Sequence, residues 1–184
     1  MNSEISLDIL EHARAVLSEA RVNWKKLNDE LSLAIFDPAQ DQVVAIARDI
    51  GEVLKQAGFK EVGEGRHRIA FLSPTKLNVV KVPLNEYGIA DNQREQLYWK
   101  KYTLFQREKI KPARVRLKAR DGNLDTSVEG EINLARCRMM GIFLVMEFVD
   151  SNIPIEERPD WSTYIDCGQV GRNRKGKIVA YDYA

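Results

Sequence analysis

The hydrophobic pattern of the chain changes period once, near residue 58. Before that point apolar residues recur at helical spacing. Leu10, Ala13, Leu17, Ala20, Trp24, Leu27 and Leu31 alternate steps of three and four, which places them on one seam of a long helix over residues 6–36. Ser6 stands where an N-cap would. Such a seam serves either a partner helix or the protein's own core, and two small alanines in a short seam favour internal packing. Asp37-Pro38 then restarts the chain, because Pro suits the first helical position. Val43, Ala47, Ile50 and Leu54 form the inner face of a second helix, and Gly58 in "KQAGFK" is its stop. Residues 1–57 therefore predict an αα-hairpin.

From Phe59 the pattern alternates. "FKEVGEGRHRIAFLS" and "LNVVKVPL" read as two β-segments joined by a turn at "PTKLN". A helix follows in "ADNQREQLYWKKYTLFQREK", then a strand in "ARVRLKAR" and a loop in "DGNLDTSVEGE". "INLARCRMM" and "IFLVMEFVD" read as strands hinged at Gly141. "SNIPIEERPDWS" is a polar connector, and "TYIDCGQVGRNRKGKIVAYDY" is a closing hairpin with "GRNRKG" at its tip. The predicted class is α+β. The helical hairpin packs on an antiparallel sheet with one helix over residues 58–150. The connector and closing hairpin, 151–184, are expected to pack on the same domain.

Composition narrows this picture without redirecting it. With 184 residues and 44% apolar content the chain can bury a core. Basic and acidic residues, 28 against 27, leave net charge silent on nucleic acid. Cys137 and Cys167 lie far apart and the histidines are only His12 and His67, which argues against a zinc site; both thiols are expected reduced and buried. The N-terminal stretch is acidic and unlike a signal peptide. The longest apolar run, "MMGIFLVMEFV", is too short to span a bilayer and contains Glu147. A cytoplasmic protein without membrane association is the expectation.

Three features carry candidate chemistry. Gly63-Glu64-Gly65 weakens a strand unless the backbone must bend or approach something closely. Such a pair suits a loop folded over phosphates, though a simple hairpin turn would use it equally well. Lys81, in the apolar "VVKV", is placed either to hold those phosphates or to snorkel at a sheet edge. Glu95 shares a helix face with Tyr98, Tyr102 and Phe105. If that face packs on the sheet, Glu95 needs a cationic partner and Lys81 is the natural one. Alternatively, Asn92-Gln93-Arg94-Glu95 is a capping box that starts the helix.

In this order the pieces resemble the N-terminal lobe of the protein-kinase-like fold, and most of all the small, divergent early kinase of podophages. The likeness covers roughly Gly58 to Val149. It implies that Gly63 and Gly65 match the first two glycines of the phosphate-covering loop, with Arg68 at the third position and Ala70 at the adenine-covering one. It implies that Lys81 is the strand lysine and Glu95 its helix glutamate. Met146 would be the gatekeeper, with the Glu147 and Val149 backbone facing adenine. Asp182, in "DYA", would stand where the metal-binding "DFG" aspartate does. ATP with magnesium is the ligand implied. The resemblance departs at the chemistry: no "HRD"-like loop follows the hinge, and the helical lobe has no counterpart after Asp182. The expectation is an inactive, kinase-lobe-like binding protein, phage-encoded, that docks on a host protein. A minimal ATP-dependent phosphotransferase or nucleotidyltransferase is the alternative.

Basic clusters offer a partner surface. Arg114, Arg116, Lys118 and Arg120 alternate on one strand face, and Arg172, Arg174, Lys175 and Lys177 crowd the hairpin tip. They suit an acidic host protein, or less well nucleic acid, since few aromatics interleave with them. A plain solvated, charged edge accounts for them too.

Overall fold

The computed structural model describes residues 21–36, 41–107, 133–165 and 168–182. It divides into two units, Met1–Asn92 with Arg138–Val145, and Gln93–Cys137 with Met146–Ala184. The α+β class is observed: among the described residues three α-helices accompany a five-stranded antiparallel sheet.

The first unit opens with α1, Trp24–Phe36. The long helix expected over 6–36 is not continuous within the described residues, because Arg21–Asn23 form a turn. The reason is local: the Asn23 carboxamide accepts from the Lys26 N–H at 3.1 Å, which is an N-cap. Val22 and Leu27, on either side of that cap, both enter the core. Leu31 is also fully buried, so the described part of the seam packs internally. Its earlier residues, with Ser6 and Asp37-Pro38, lie outside the described residues.

Helix α2, Asp41–Gln56, buries the face read from its pattern: Val43, Ala47, Ile50 and Leu54 are all in the core. It ends as Gly58 allows. With φ at +86°, Gly58 donates to the Lys55 carbonyl at 2.9 Å, and Phe59 donates to that of Leu54 at 2.9 Å. Leu54 and Phe59 both stay in the core, as such a stop requires.

The sheet has the order β1-β2-β3-β5-β4. Its strands are β1 Lys60–Glu64, β2 Arg68–Leu72, β3 Asn78–Pro83, β4 Cys137–Met140 and β5 Phe143–Glu147. The first β-segment is thus two strands rather than one. Gly65 donates to the Arg68 carbonyl at 2.8 Å, so Arg66-His67 form a tight turn inside it. One face of β2 and β3 carries Ile69, Phe71, Val80 and Val82 into the core with the helical hairpin. Trp24 meets Phe59 and Phe143 edge-on, at 5.8 and 6.0 Å between ring centres.

Helix α3, Glu86–Arg107, begins earlier than expected. Asn85 caps it, accepting from the Gly88 N–H at 3.0 Å. Asn92 is therefore mid-helix and fully buried, and the capping box at Asn92–Glu95 is overturned. Its carboxamide instead donates to the Ile142 carbonyl at 2.8 Å and the Lys81 carbonyl at 3.4 Å, and accepts from Arg68 Nη1 at 3.3 Å. Ile142 follows Gly141, which turns β4 into β5 at φ +63° as the sequence suggests. The Ile142 N–H donates to Asn28 of α1 at 2.7 Å. A side chain on Gly141 would run into that same Asn28 carboxamide.

The second unit contains the rest of α3, two 3₁₀ turns at Ile155–Glu157 and Asp160–Tyr164, and a separate ribbon of β6 Val170–Arg172 and β7 Ile178–Ala180. The closing hairpin is therefore shorter than its sequence suggests, since "TYIDC" begins in a 3₁₀ turn. Likewise "INLARC" contributes only a single parallel bridge, Leu134 to Ala180, before β4 begins. On the other side of the ribbon, Asp150 and Arg172 exchange both backbone hydrogen bonds, at 2.9 and 2.8 Å. Gly171 permits this approach, since a side chain there would meet the Asp150 backbone. Cys137 is buried and reduced, as expected.

The turn at Ile142 generates a prediction. Gly141→Ala puts a methyl into Asn28 at a backbone angle that disfavours it, and Asn92→Ala strands buried backbone groups. Each should lower unfolding free energy by about 2–3 kcal/mol in denaturant titration. A conservative surface change such as Lys26→Arg should leave it unmoved.

Candidate functional site

The backbone register assembles three of the sequence-predicted residues into one row. Gly63 of β1 pairs with Ala70 of β2, and Ala70 pairs with Lys81 of β3. Cross-strand partners point to the same side, so the row lies on the face opposite Phe71 and Val80. Arg68, Leu72, Val79 and Pro83 share that face by the same alternation. A register shift between Glu61 and Gly63, with Val62 as the extra residue, bends β1 just before the glycines.

The glycines themselves are informative by contrast. Neither Gly63 nor Gly65 has a positive φ, so the backbone does not require glycine at either place. Nor does packing require it. A Cβ at Gly63 would meet nothing within 4 Å, and one at Gly65 only the Arg68 carbonyl at 3.8 Å. Gly58 and Gly141, by comparison, are demanded by the fold. The reading of the pair as a turn with two convenient glycines therefore loses its backbone rationale.

Lys81 does not snorkel to solvent; it is 7% exposed. Among the described residues every buried side-chain nitrogen or oxygen has a hydrogen-bond partner. Arg68, at the third-glycine position, reaches Asn92 instead of solvent. On the opposite face of β1, Glu64 pairs with Arg48 at 3.5 Å, and Glu61 with Lys55 at 3.0 Å. These pairs fasten β1 to α2.

The other candidates belong to the second unit. Glu95 is fully buried on α3, which fits the expectation that its face packs inward. Met146 is buried at 2% exposure, and Glu147, Val149 and Asp182 are half-buried. Glu147 binds Arg136 twice: its N–H donates to the Arg136 carbonyl and its carboxylate accepts from the Arg136 N–H, both at 2.8 Å. Asp182 stands two residues past the end of β7, after Tyr181. No group of three metal-ligating side chains occurs among the described residues.

The basic candidates divide. Arg172 forms an ion pair with Glu157 and also donates to the Gly176 carbonyl at 3.2 Å, so part of its charge is already neutralised. Arg174, Lys175 and Lys177 are exposed around a turn organised by Asn173, whose carboxamide accepts from the Lys175 and Lys177 N–H groups at 3.0 and 3.1 Å. Arg114, Arg116, Lys118 and Arg120 lie outside the described residues, as does Cys167.

Sequence reading missed Asn28, Asn85 and Asn92. For Asn28 and Asn92 the one signal is a polar amide at a helix position where the apolar period would place a core side chain; Asn85 stands just before its helix, as the cap.

No protein-family model, curated protein or solved structure matches this chain.

Tyr181, next to Asp182, supplies a pH test of this region. Burial pushes its phenol above the ordinary 10.0, and the Asp182 charge adds to that; the Ser151 hydrogen bond and the Arg158 charge pull the other way. A raised value means that the folded state holds the proton longer than the unfolded chain does. The stabilisation is complete below the ordinary value and is lost as pH rises through the folded one. Wild-type stability should therefore fall more steeply above pH 10 than that of Tyr181→Phe, measured by denaturant midpoints across alkaline pH.

Proposed function

We propose that the chain is a kinase-lobe-like binding protein, without phosphotransfer chemistry of its own, that takes a nucleotide polyphosphate on the Gly63–Ala70–Lys81 face and acts by docking on a protein partner. The carrying observation is that Gly63 and Gly65 satisfy no need of the fold. Glycine where neither conformation nor packing asks for it leaves room for something outside the chain to approach the backbone. The setting supports the same reading. The glycines flank the β1–β2 turn, the lysine lies on the third strand, and the helix that follows buries a glutamate. A protein kinase holds ATP phosphates with a glycine-rich loop and a strand lysine, and the glycines and Lys81 of the first unit resemble those two parts.

Phosphoryl transfer needs more than a phosphate cradle. It needs an aspartate to accept the substrate proton and an asparagine for metal on a loop past the hinge. The chain's histidines, His12 and His67, both precede the hinge strand, and residues 150–181 hold no such loop motif. Binding is the activity these residues support. For docking, the exposed Arg174 and Lys175 offer charge for an acidic protein surface.

Thermal denaturation with Mg-ATP tests the proposal. At ligand about tenfold above Kd, the midpoint should rise by about 3–6 °C. Gly63→Val and Lys81→Met should each abolish that rise. Gly63→Val should do so with stability within about 0.5 kcal/mol of wild type, because no neighbour opposes the added side chain. Phosphate release should stay at background. No shift at millimolar nucleotide overturns the nucleotide reading, and steady phosphate release overturns the non-catalytic one.

A further inference from the structure

Asn85 and His67 meet where the strand leaving the glycine turn passes the start of α3. As the N-cap, Asn85 turns its carboxamide oxygen to the Gly88 N–H at 3.0 Å. That bond fixes the amide's direction, so its nitrogen is the atom 3.2 Å from His67 Nδ1. An amide nitrogen only donates, hence Nδ1 carries a lone pair and the ring proton sits on Nε2. Three further contacts hold the junction. The Leu84 N–H donates to the His67 carbonyl at 2.8 Å. The His67 ring lies against Tyr87, with ring centres 5.5 Å apart and planes tilted by 41°. A side chain at Gly88 would collide with the His67 carbonyl, so glycine lets the helix come this close.

We propose that His67 and Asn85 form a proton-sensitive latch between the glycine turn and the first turn of α3, closed while the imidazole is neutral and opened when it takes up a proton. Protonation makes both ring nitrogens donors, and Nδ1–H then faces the amide N–H of Asn85. Rotating the amide to offer its oxygen would turn its NH₂ onto the Gly88 N–H and remove the helix cap. The titratable and charged groups on the two segments are Tyr87 and Glu86 on the helix, and Arg66 and Arg68 beside His67; Glu86 is exposed in the first turn, and Arg68 is turned to Asn92. The latch needs no ligand on the glycine face. It stands or falls separately from the nucleotide reading.

The full chain, labelled for histidine and tyrosine NMR, tests this directly. Near pH 8, His67 should show the Nε2–H tautomer and ring-to-ring NOEs with Tyr87. Near pH 5, below the ordinary imidazole range, those NOEs should disappear, and the Leu84 amide should exchange several-fold faster after correction for intrinsic rate. Asn85→Asp keeps an equally good cap and gives Nδ1–H an acceptor, so its NOEs should persist near pH 5. Asn85→Ser also keeps a cap but removes the amide donor, so its His67 tautomers should mix near pH 8. An Nδ1–H tautomer in the wild type near pH 8 overturns the latch, as do NOEs that survive acid equally in wild type and Asn85→Asp.

Discussion

The first unit depends on how one backbone residue is satisfied. Ile142 sits in the turn between β4 and β5, where its N–H and C=O cannot both find ladder partners. Asn28 of α1 takes the N–H and Asn92 of α3 takes the C=O. Asn92 then spends its remaining capacity on the Lys81 carbonyl and the Arg68 guanidinium. One buried turn thereby ties together the helical hairpin, two strands and the next helix. A partly satisfied network of this kind would be worse than an apolar one; among the described residues it is satisfied throughout.

That network also separates the two faces of the sheet. On one side Ile69, Phe71, Val80 and Val82 join the core of α1 and α2. On the other, Gly63, Ala70 and Lys81 form a row whose glycine end stands clear of protein atoms. The core face makes the strands rigid, and on the opposite face Arg68 adds to that by donating to Asn92. A binding surface placed there is positioned mainly by the core behind it.

Periodicity and glycine chemistry made much of this legible. Val43, Ala47, Ile50 and Leu54 declared their helix face, and Gly58 and Gly141 declared their turns. For Lys81 and Glu95 burial was one of two readings the sequence left open, and the structure buries both. What stayed hidden depended on side-chain amides. Asn23 breaks the seam between Ala20 and Trp24, because a cap outweighs an apolar period that would continue. Asn85 starts α3 despite Gly88 three residues later, a glycine that reads as a breaker until its closeness to His67 is seen. The Arg66-His67 turn was announced only by the glycine pair before it, which read equally as a phosphate loop or a hairpin turn. The row across three strands was out of reach altogether, since register depends on the bulge at Val62 and no local signal announces it.

The Asn28–Ile142 bond has a kinetic side. It joins positions 114 residues apart, whereas Gly58 and the Arg66-His67 turn close within a few residues. Closing so long a loop costs the most chain entropy and returns a single hydrogen bond. The helical hairpin and the β1–β3 meander can form from contacts near in sequence, and the clasp has to wait for β4 and β5 to arrive. A late contact of this kind contributes little to the folding barrier and much to the unfolding one. The asparagine clasp thus governs how long the folded unit lasts more than how quickly it is reached.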